Sequence, residues 1–167
     1  MNKRPFLILF LFLLLFSFGG QAADTYRPET SVAGFIPLPD CGRQVYNFNP
    51  GWRFCKGDIR GAEAVNFDDR SWEVVSTPHT VELMPAEGSG CQGPAWYRKY
   101  FVVPTATKGQ RVLLHFEAAM GKQVLYLNGK RVQEHLGGYL PFTLDLTANG
   151  VQAGDSCLPA VYTDNSN

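Results

Sequence analysis

An all-β sandwich is the fold this sequence predicts, and three observations carry the prediction. Short apolar runs alternate with turn residues along most of the chain. Asn128-Gly129 stands between two strand-like runs, where both residues tolerate positive φ and close a hairpin. No helical period appears beyond one turn over residues 66–71. Eight or so strands in one domain fit two packed sheets.

The elements follow in order. Residues 1–23 stand outside the fold. Lys3 and Arg4 precede an apolar run over 6–18, and Gly19, Gly20, Ala22 and Ala23 supply small residues for a signal peptidase. A spanning helix needs roughly 20 apolar residues, so the run reads as a secretory signal cleaved after Ala22 or Ala23, and the protein as periplasmic or extracellular. Residues 24–42 carry Pro28, Pro37 and Pro39 without a period and read as an extended lead-in. The domain proper is expected over 43–167.

Within it, 44–48 is a first strand, and Pro50-Gly51 turns it into a second over 52–55. Residues 73–76 form a short strand stopped by Pro78. A longer strand over 96–103 is stopped by Pro104. Over 111–118, Val112, Leu114, Phe116 and Ala118 share one face, and Leu113 implies cover on the other. The hairpin arms are 123–128 and 131–135, and two further strands lie over 142–146 and 158–163. Pro159 removes a ladder donor and belongs at an edge or among the first residues of the last strand. The paired glycines Gly137-Gly138 read as a bend where a Cβ would crowd. The expected core holds Trp52, Trp72, Phe101, Leu114, Phe116, Leu125 or Tyr126, and Phe142.

Setting residues 1–23 aside removes two basic residues and no acidic ones. The remaining 144 residues hold 13 basic and 15 acidic side chains, a formal charge of −2. That balance excludes nucleic acid and anionic membrane as expected partners. Cys41, Cys55, Cys91 and Cys157 have no C-x-x-C spacing, so no zinc site and no cofactor are expected. Export permits disulfides, and four cysteines leave three pairings open beside free thiols. Calcium loops need a dense cluster of Asp and Asn, and none is seen.

Several motifs could carry chemistry. Asp68-Asp69 could be a carboxylate pair, but adjacent turn residues point apart, and the pair reads as a cap of the short turn. Trp52 and Trp72 read as core plugs, whereas Trp96 follows the loop over 84–94 and is expected near its mouth. Arg98 and Lys99 fall on opposite faces of a strand, and one could pair with Glu117 or Asp145. His115 and His135 read as solvated or hydrogen-bonded strand residues. The segment 78–82 leaves a strand and opens a long loop, the best place for function.

The order NFNPGWRF, FDDRSWEVVSTPHT, GPAWYRKYFVVP, VLLHFEAA, VLYLNGKRVQEHLGGYLPFTLDLT and AVYTDNSN resembles the N-terminal sugar-binding domain of glycoside hydrolase family 2. The resemblance covers roughly residues 43–165 and is nearest to bacterial β-galactosidase-like members. It implies a jelly-roll β-sandwich beside a separate catalytic barrel carrying two glutamates. A barrel needs roughly 200 residues or more, so the chain is expected to be the accessory part of an exported glycosidase, inactive alone. The resemblance also implies a further loop and a closing strand beyond Asn167. In the family, the residue after Pro-His is commonly Asp or Asn and points toward the sugar pocket of the barrel. Thr80 holds that place here and keeps a hydroxyl but no carboxylate or amide. The expected contacts to a galactoside-type glycan are therefore His79, Thr80 and Trp96. A freestanding lectin-like carbohydrate-binding module is the alternative, and a sandwich with only protein partners is a third.

Overall fold

A computed structural model describes residues 25–30, 42–81 and 92–166. The expected signal over 1–23, most of the lead-in, the loop over 82–91, Cys41 and Cys91 lie outside the described residues. Twelve strands are found: β1 (Glu29–Thr30), β2 (Tyr46–Asn47), β3 (Trp52–Lys56), β4 (Glu73–Val75), β5 (Pro94–Arg98), β6 (Phe101–Val102), β7 (Leu113–Phe116), β8 (Gly121–Leu127), β9 (Lys130–Gly137), β10 (Phe142–Asp145), β11 (Ser156–Cys157) and β12 (Pro159–Asp164). Among the described residues a 3₁₀ turn over Thr105–Thr107 interrupts them, a turn the sequence did not announce.

The main layer is a six-stranded antiparallel sheet in the order β4-β3-β5-β12-β8-β9. The pairs β7-β10 and β6-β11 supply its facing layer, and β1 pairs with β2 at one side. Side chains alternate across the main sheet as a pleat requires. Trp52, Phe54, Val75, Ala95, Leu125, Leu127 and Val161 point inward, in one cluster with Phe101, Leu114, Phe142, Leu144 and Cys157. The expected core is largely this cluster. Phe116 packs against it half-buried, and Leu125 rather than Tyr126 takes the inner position.

A second, smaller cluster lies on the outer face of the main sheet. Ala62, Trp72, Trp96 and Ala160 are buried there with Phe67 and Ile59 packed against them. The cover is the stretch 57–72, which folds back over β3 and β5. Trp72 is thus buried as expected, but in the outer cluster.

Four expectations are corrected. The strand foreseen over 96–103 is two strands, β5 in the main sheet and β6 in the facing layer. The chain crosses between layers at Lys99 and Tyr100, which no period in the sequence could mark. Leu113 has no cover and is 47% exposed. His135 is stacked on Phe142 with ring centroids 4.2 Å apart, so it packs as an aromatic rather than as a solvated residue. Arg98 pairs with neither Glu117 nor Asp145: Arg111 holds Asp145 at 2.6 Å, and the partner of Arg98 is Asp69.

That last pair explains the sequence FDDRSW. Asp68 is exposed and accepts from the Arg70 backbone N–H (3.2 Å) and from its guanidinium (2.8 and 2.7 Å). These bonds hold the Asp68 carboxyl down at about 2. Asp69 turns inward and accepts from Arg98 Nε at 2.8 Å. The side chains of Arg98 and Asp69 are 0% and 8% exposed. Arg98 also donates to the Ala62 and Ala64 carbonyls and to the Tyr100 hydroxyl. One guanidinium thereby fastens the covering stretch to β5, with each donor placed where burial demands a partner.

Lys99, where the chain leaves β5, points away from Arg98. Its Nζ donates to the Phe48 and Pro50 carbonyls and sits 3.6 Å from the Tyr26 ring centroid and 4.1 Å from that of Phe48. No carboxylate among the described residues pairs with it, and burial pulls its pKa from 10.5 down to about 7. Between those values the unfolded chain binds the proton more readily than the folded one, so stability rises with pH there. The window narrows near pH 9, where the Cys157 thiol, pushed up to about 12 by burial, begins to act in the opposite direction. The urea midpoint is therefore expected to rise from pH 7 to about pH 8.5 in the wild type and to rise less in Lys99→Met. Equal pH slopes in the two proteins would show that Lys99 does not titrate in this range.

The hairpin is built as the sequence announces. Asn128 and Gly129 have φ of 51° and 83° between β8 and β9. The Asn128 side chain accepts from Leu158 N–H at 2.8 Å, while its own N–H donates to the Leu158 carbonyl at 2.9 Å. The turn is thus tied to the entry of β12, where Pro159 is the first strand residue, as expected.

Candidate functional site

The Pro78-His79 segment follows β4, whose last residue Val75 pairs with Trp52 at the start of β3, and runs over the inner face toward the end of the sheet where β5 and β8 begin and β9 and β12 end. A concavity of about 300 Å³ opens there, within the range of small-ligand sites. Its floor is the inner face of the main sheet, with Trp52, Tyr97, Val161 and Thr163, and its rim includes His79, Val81 and Met120. Among the described residues, no Asp, Glu, Lys or Arg lines it.

Each part is positioned by local physics. The His79 ring packs edge-on against Phe54 (centroids 4.7 Å apart), and its Nδ1 lies 3.0 Å from the Tyr97 hydroxyl. Two strands of the main sheet, β3 and β5, thereby fix the histidine that leaves a third. Val81 packs on the core behind it, which leaves Thr80 exposed between two anchored neighbours. On the far wall the Met120 carbonyl accepts from Gln123 Nε2 (2.8 Å) and Thr163 Oγ1 (3.2 Å). Gly121, at φ 83°, lets the chain pass so close to β12 that a Cβ would lie 2.1 Å from the Asp164 carbonyl oxygen. Asn165 closes the last side, accepting from Gly93 N–H at 3.0 Å.

Of the three residues expected from sequence, His79 lines this concavity, Thr80 is exposed next to it in the chain but is not among the lining residues, and Trp96 lies elsewhere. Trp96 is buried on the outer face of β5, with the sheet between it and His79. Alternation decides this, because Tyr97 faces the concavity and its neighbour must face away. Sequence reasoning missed Tyr97 and Met120. The signal for Tyr97 was its parity with Ala95 on β5, whereas Met120 depends on how the β7-β8 connection folds.

Described as glycosyl hydrolases family 2, sugar binding domain, one protein family matches residues 62–163. A β-galactosidase of Thermoanaerobacter pseudethanolicus is 39% identical over 109 residues, which is 64% of this chain and 15% of that enzyme. A β-glucuronidase of Formosa agariphila is 32% identical over 134 residues, 74% of this chain and 14% of that one. Among solved structures, a family 2 member from Bacteroides cellulosilyticus superimposes with a TM-score of 0.65 at 30% identity, over 72% of this chain and 17% of its own. The β-glucuronidase of Bacteroides uniformis gives 0.65 at 31% identity, over 72% and 14%. The chain thus spans about one seventh of the curated relatives it matches. The match begins at Ala62, whose carbonyl Arg98 grips, and ends at Thr163 on the concavity floor. With the fold and that stretch in common, the chain belongs to glycoside hydrolase family 2, as its N-terminal sugar-binding domain.

Proposed function

We propose that this domain walls one side of the substrate pocket of an exported, β-galactosidase-like family 2 enzyme that hydrolyses O-glycosidic bonds. The observation that carries the reading is the concavity lined by His79, with Thr80 exposed next in the chain and no carboxylate among the described lining residues. Such a wall can position a sugar through hydrogen bonds but cannot supply an acid or a nucleophile. The catalytic glutamates would come from a barrel facing the concavity. The lack of any lysine or arginine among the described lining residues favours a neutral galactoside over a glucuronide, whose carboxylate calls for a cation. The apolar run over 6–18 supports export.

Joined to a family 2 catalytic barrel, Thr80→Ala is expected to lower kcat/KM on an aryl β-galactoside about two- to ten-fold, the loss of one hydrogen bond. The melting temperature should stay unchanged, because Thr80 is exposed. An unaltered kcat/KM would place the substrate away from this wall.

A further inference from the structure

The outer face of the main sheet is only half covered. The stretch 57–72 lies over β3 and β5, and it leaves the outward residues of β12 and β8 beside it open. A groove of about 360 Å³ runs along the boundary, lined by Asp58, Trp96, Lys122, Tyr126, Tyr162 and Asp164. It shares no residue with the concavity at His79.

Strand register builds this groove. Tyr162 of β12 lies directly opposite Trp96 of β5, and Tyr126 of β8 is on the same face one row along. The Trp96 ring lies 5.3 Å from that of Tyr162 and 5.7 Å from that of Tyr126, centroid to centroid. Trp96 is buried, while the two tyrosines are half-buried. Three charged side chains border the rings. Lys122 is already paired with Glu134 at 3.3 Å. Asp164 accepts from the Tyr162 hydroxyl at 3.2 Å and from Ser166. A second observation points to a ligand. The Trp96 indole N–H is buried and has no hydrogen-bond partner among the described residues. A buried donor without an acceptor is costly, and such groups call for a reason.

We infer that this groove is a second carbohydrate site, and that its ligand class is a neutral pyranoside. Aromatic rings carry a negative face that attracts the weakly positive C–H face of a sugar ring. Carboxylates accept from sugar hydroxyls in charge-assisted hydrogen bonds, and Lys122 can donate to a ring or hydroxyl oxygen. The Trp96 indole lies sealed beneath the floor in contact with both tyrosines, where its resonance reports on a sugar stacked against them. The volume is near the lower end for small-molecule sites, so it suits one or two sugar rings. Two carboxylates against one ammonium leave the groove net negative, which selects against a uronate. The inference is independent of the proposed pocket wall, since the two sites lie on opposite faces of the sheet.

The test uses the isotope-labelled full chain and its three indole N–H resonances, from Trp52, Trp72 and Trp96. Methyl β-galactopyranoside, methyl β-glucopyranoside and methyl β-glucuronide are titrated in separate arms. The Trp96 resonance should move saturably with at least one neutral sugar in the millimolar range, while those of Trp52 and Trp72 stay in place. The glucuronide should bind at least about ten-fold more weakly, as expected for loss of one charge-assisted contact. Asp58→Asn should weaken the neutral sugar by a similar factor, with the rest of its spectrum unchanged as the check on folding. A Trp96 signal unmoved by both neutral sugars overturns the inference. So does an equal response to the glucuronide, or an undiminished response in a folded Asp58→Asn protein. A response confined to His79 and Tyr97 would overturn this second site while leaving the pocket wall standing.

Discussion

Asp69→Ala is expected to destabilise the domain by about 3–5 kcal/mol, the cost of leaving one member of a buried ion pair without its partner. Arg98 is fully buried, so removing the carboxylate strands a guanidinium in the outer cluster without its partner. The remaining contacts to Ala62, Ala64 and Tyr100 satisfy its hydrogen bonds but supply no negative charge. Asp68→Ala is the control. That carboxylate and its partner Arg70 are 61% and 76% exposed, and solvent screens surface pairs of this kind so that they contribute little. Denaturant midpoints of the two variants measure the contrast. Equal shifts would mean that the Asp69–Arg98 pair does not hold the covering stretch. A double replacement, Asp69→Leu with Arg98→Met, should recover part of the loss, because paired apolar groups often match a buried ion pair. Recovery will be incomplete, since the carbonyls that Arg98 now serves would be left without donors.

The second large effect is an absence. The purified chain is expected to show no turnover of aryl β-galactosides or aryl β-glucuronides. Retaining hydrolysis uses two carboxyl groups about 5 Å apart, one of them with a raised pKa so that it can donate a proton. Among the described residues, the concavity beside His79 offers no carboxyl group. Asp68, Asp145 and Asp164 are all held below the usual carboxylate range, each by hydrogen bonds from its neighbours, which suits an acceptor and not a general acid. Asp69 is committed to Arg98. Hydrolysis by protein made in a host lacking its own glycosidases would overturn the accessory reading.

Much of this domain was written locally. The hairpin at Asn128-Gly129 needs only two residues that tolerate positive φ, and the position of Pro159 at the head of β12 needs only a missing N–H. Alternation in β7 placed Leu114 inside, and Trp52 and Trp72 are buried as large aromatics at strand starts tend to be. Other features were not local. The break between β5 and β6 follows from which sheet each half joins, and 96–103 reads as one continuous strand. Asp69 and Asp68 are the same residue type side by side, yet one is buried and the other exposed. Which is which depends on a cation 29 positions away. Trp96 looked like a neighbour of the loop that precedes it, but strand parity sends it to the face opposite His79.

The sequence by itself determined the family, the all-β class, the hairpin and the dominance of Trp52, Phe101, Leu114 and Phe142 in the core, because composition, turn chemistry and period-two patterning act over a few residues. Only the tertiary structure decided that His79 meets Tyr97, that Arg98 grips the stretch 57–72, and that Trp96, Tyr126 and Tyr162 share a groove. Those contacts join three separate strands or a strand and a loop, and their existence rests on register and sheet order, which are set by the burial of the whole core rather than by any one segment.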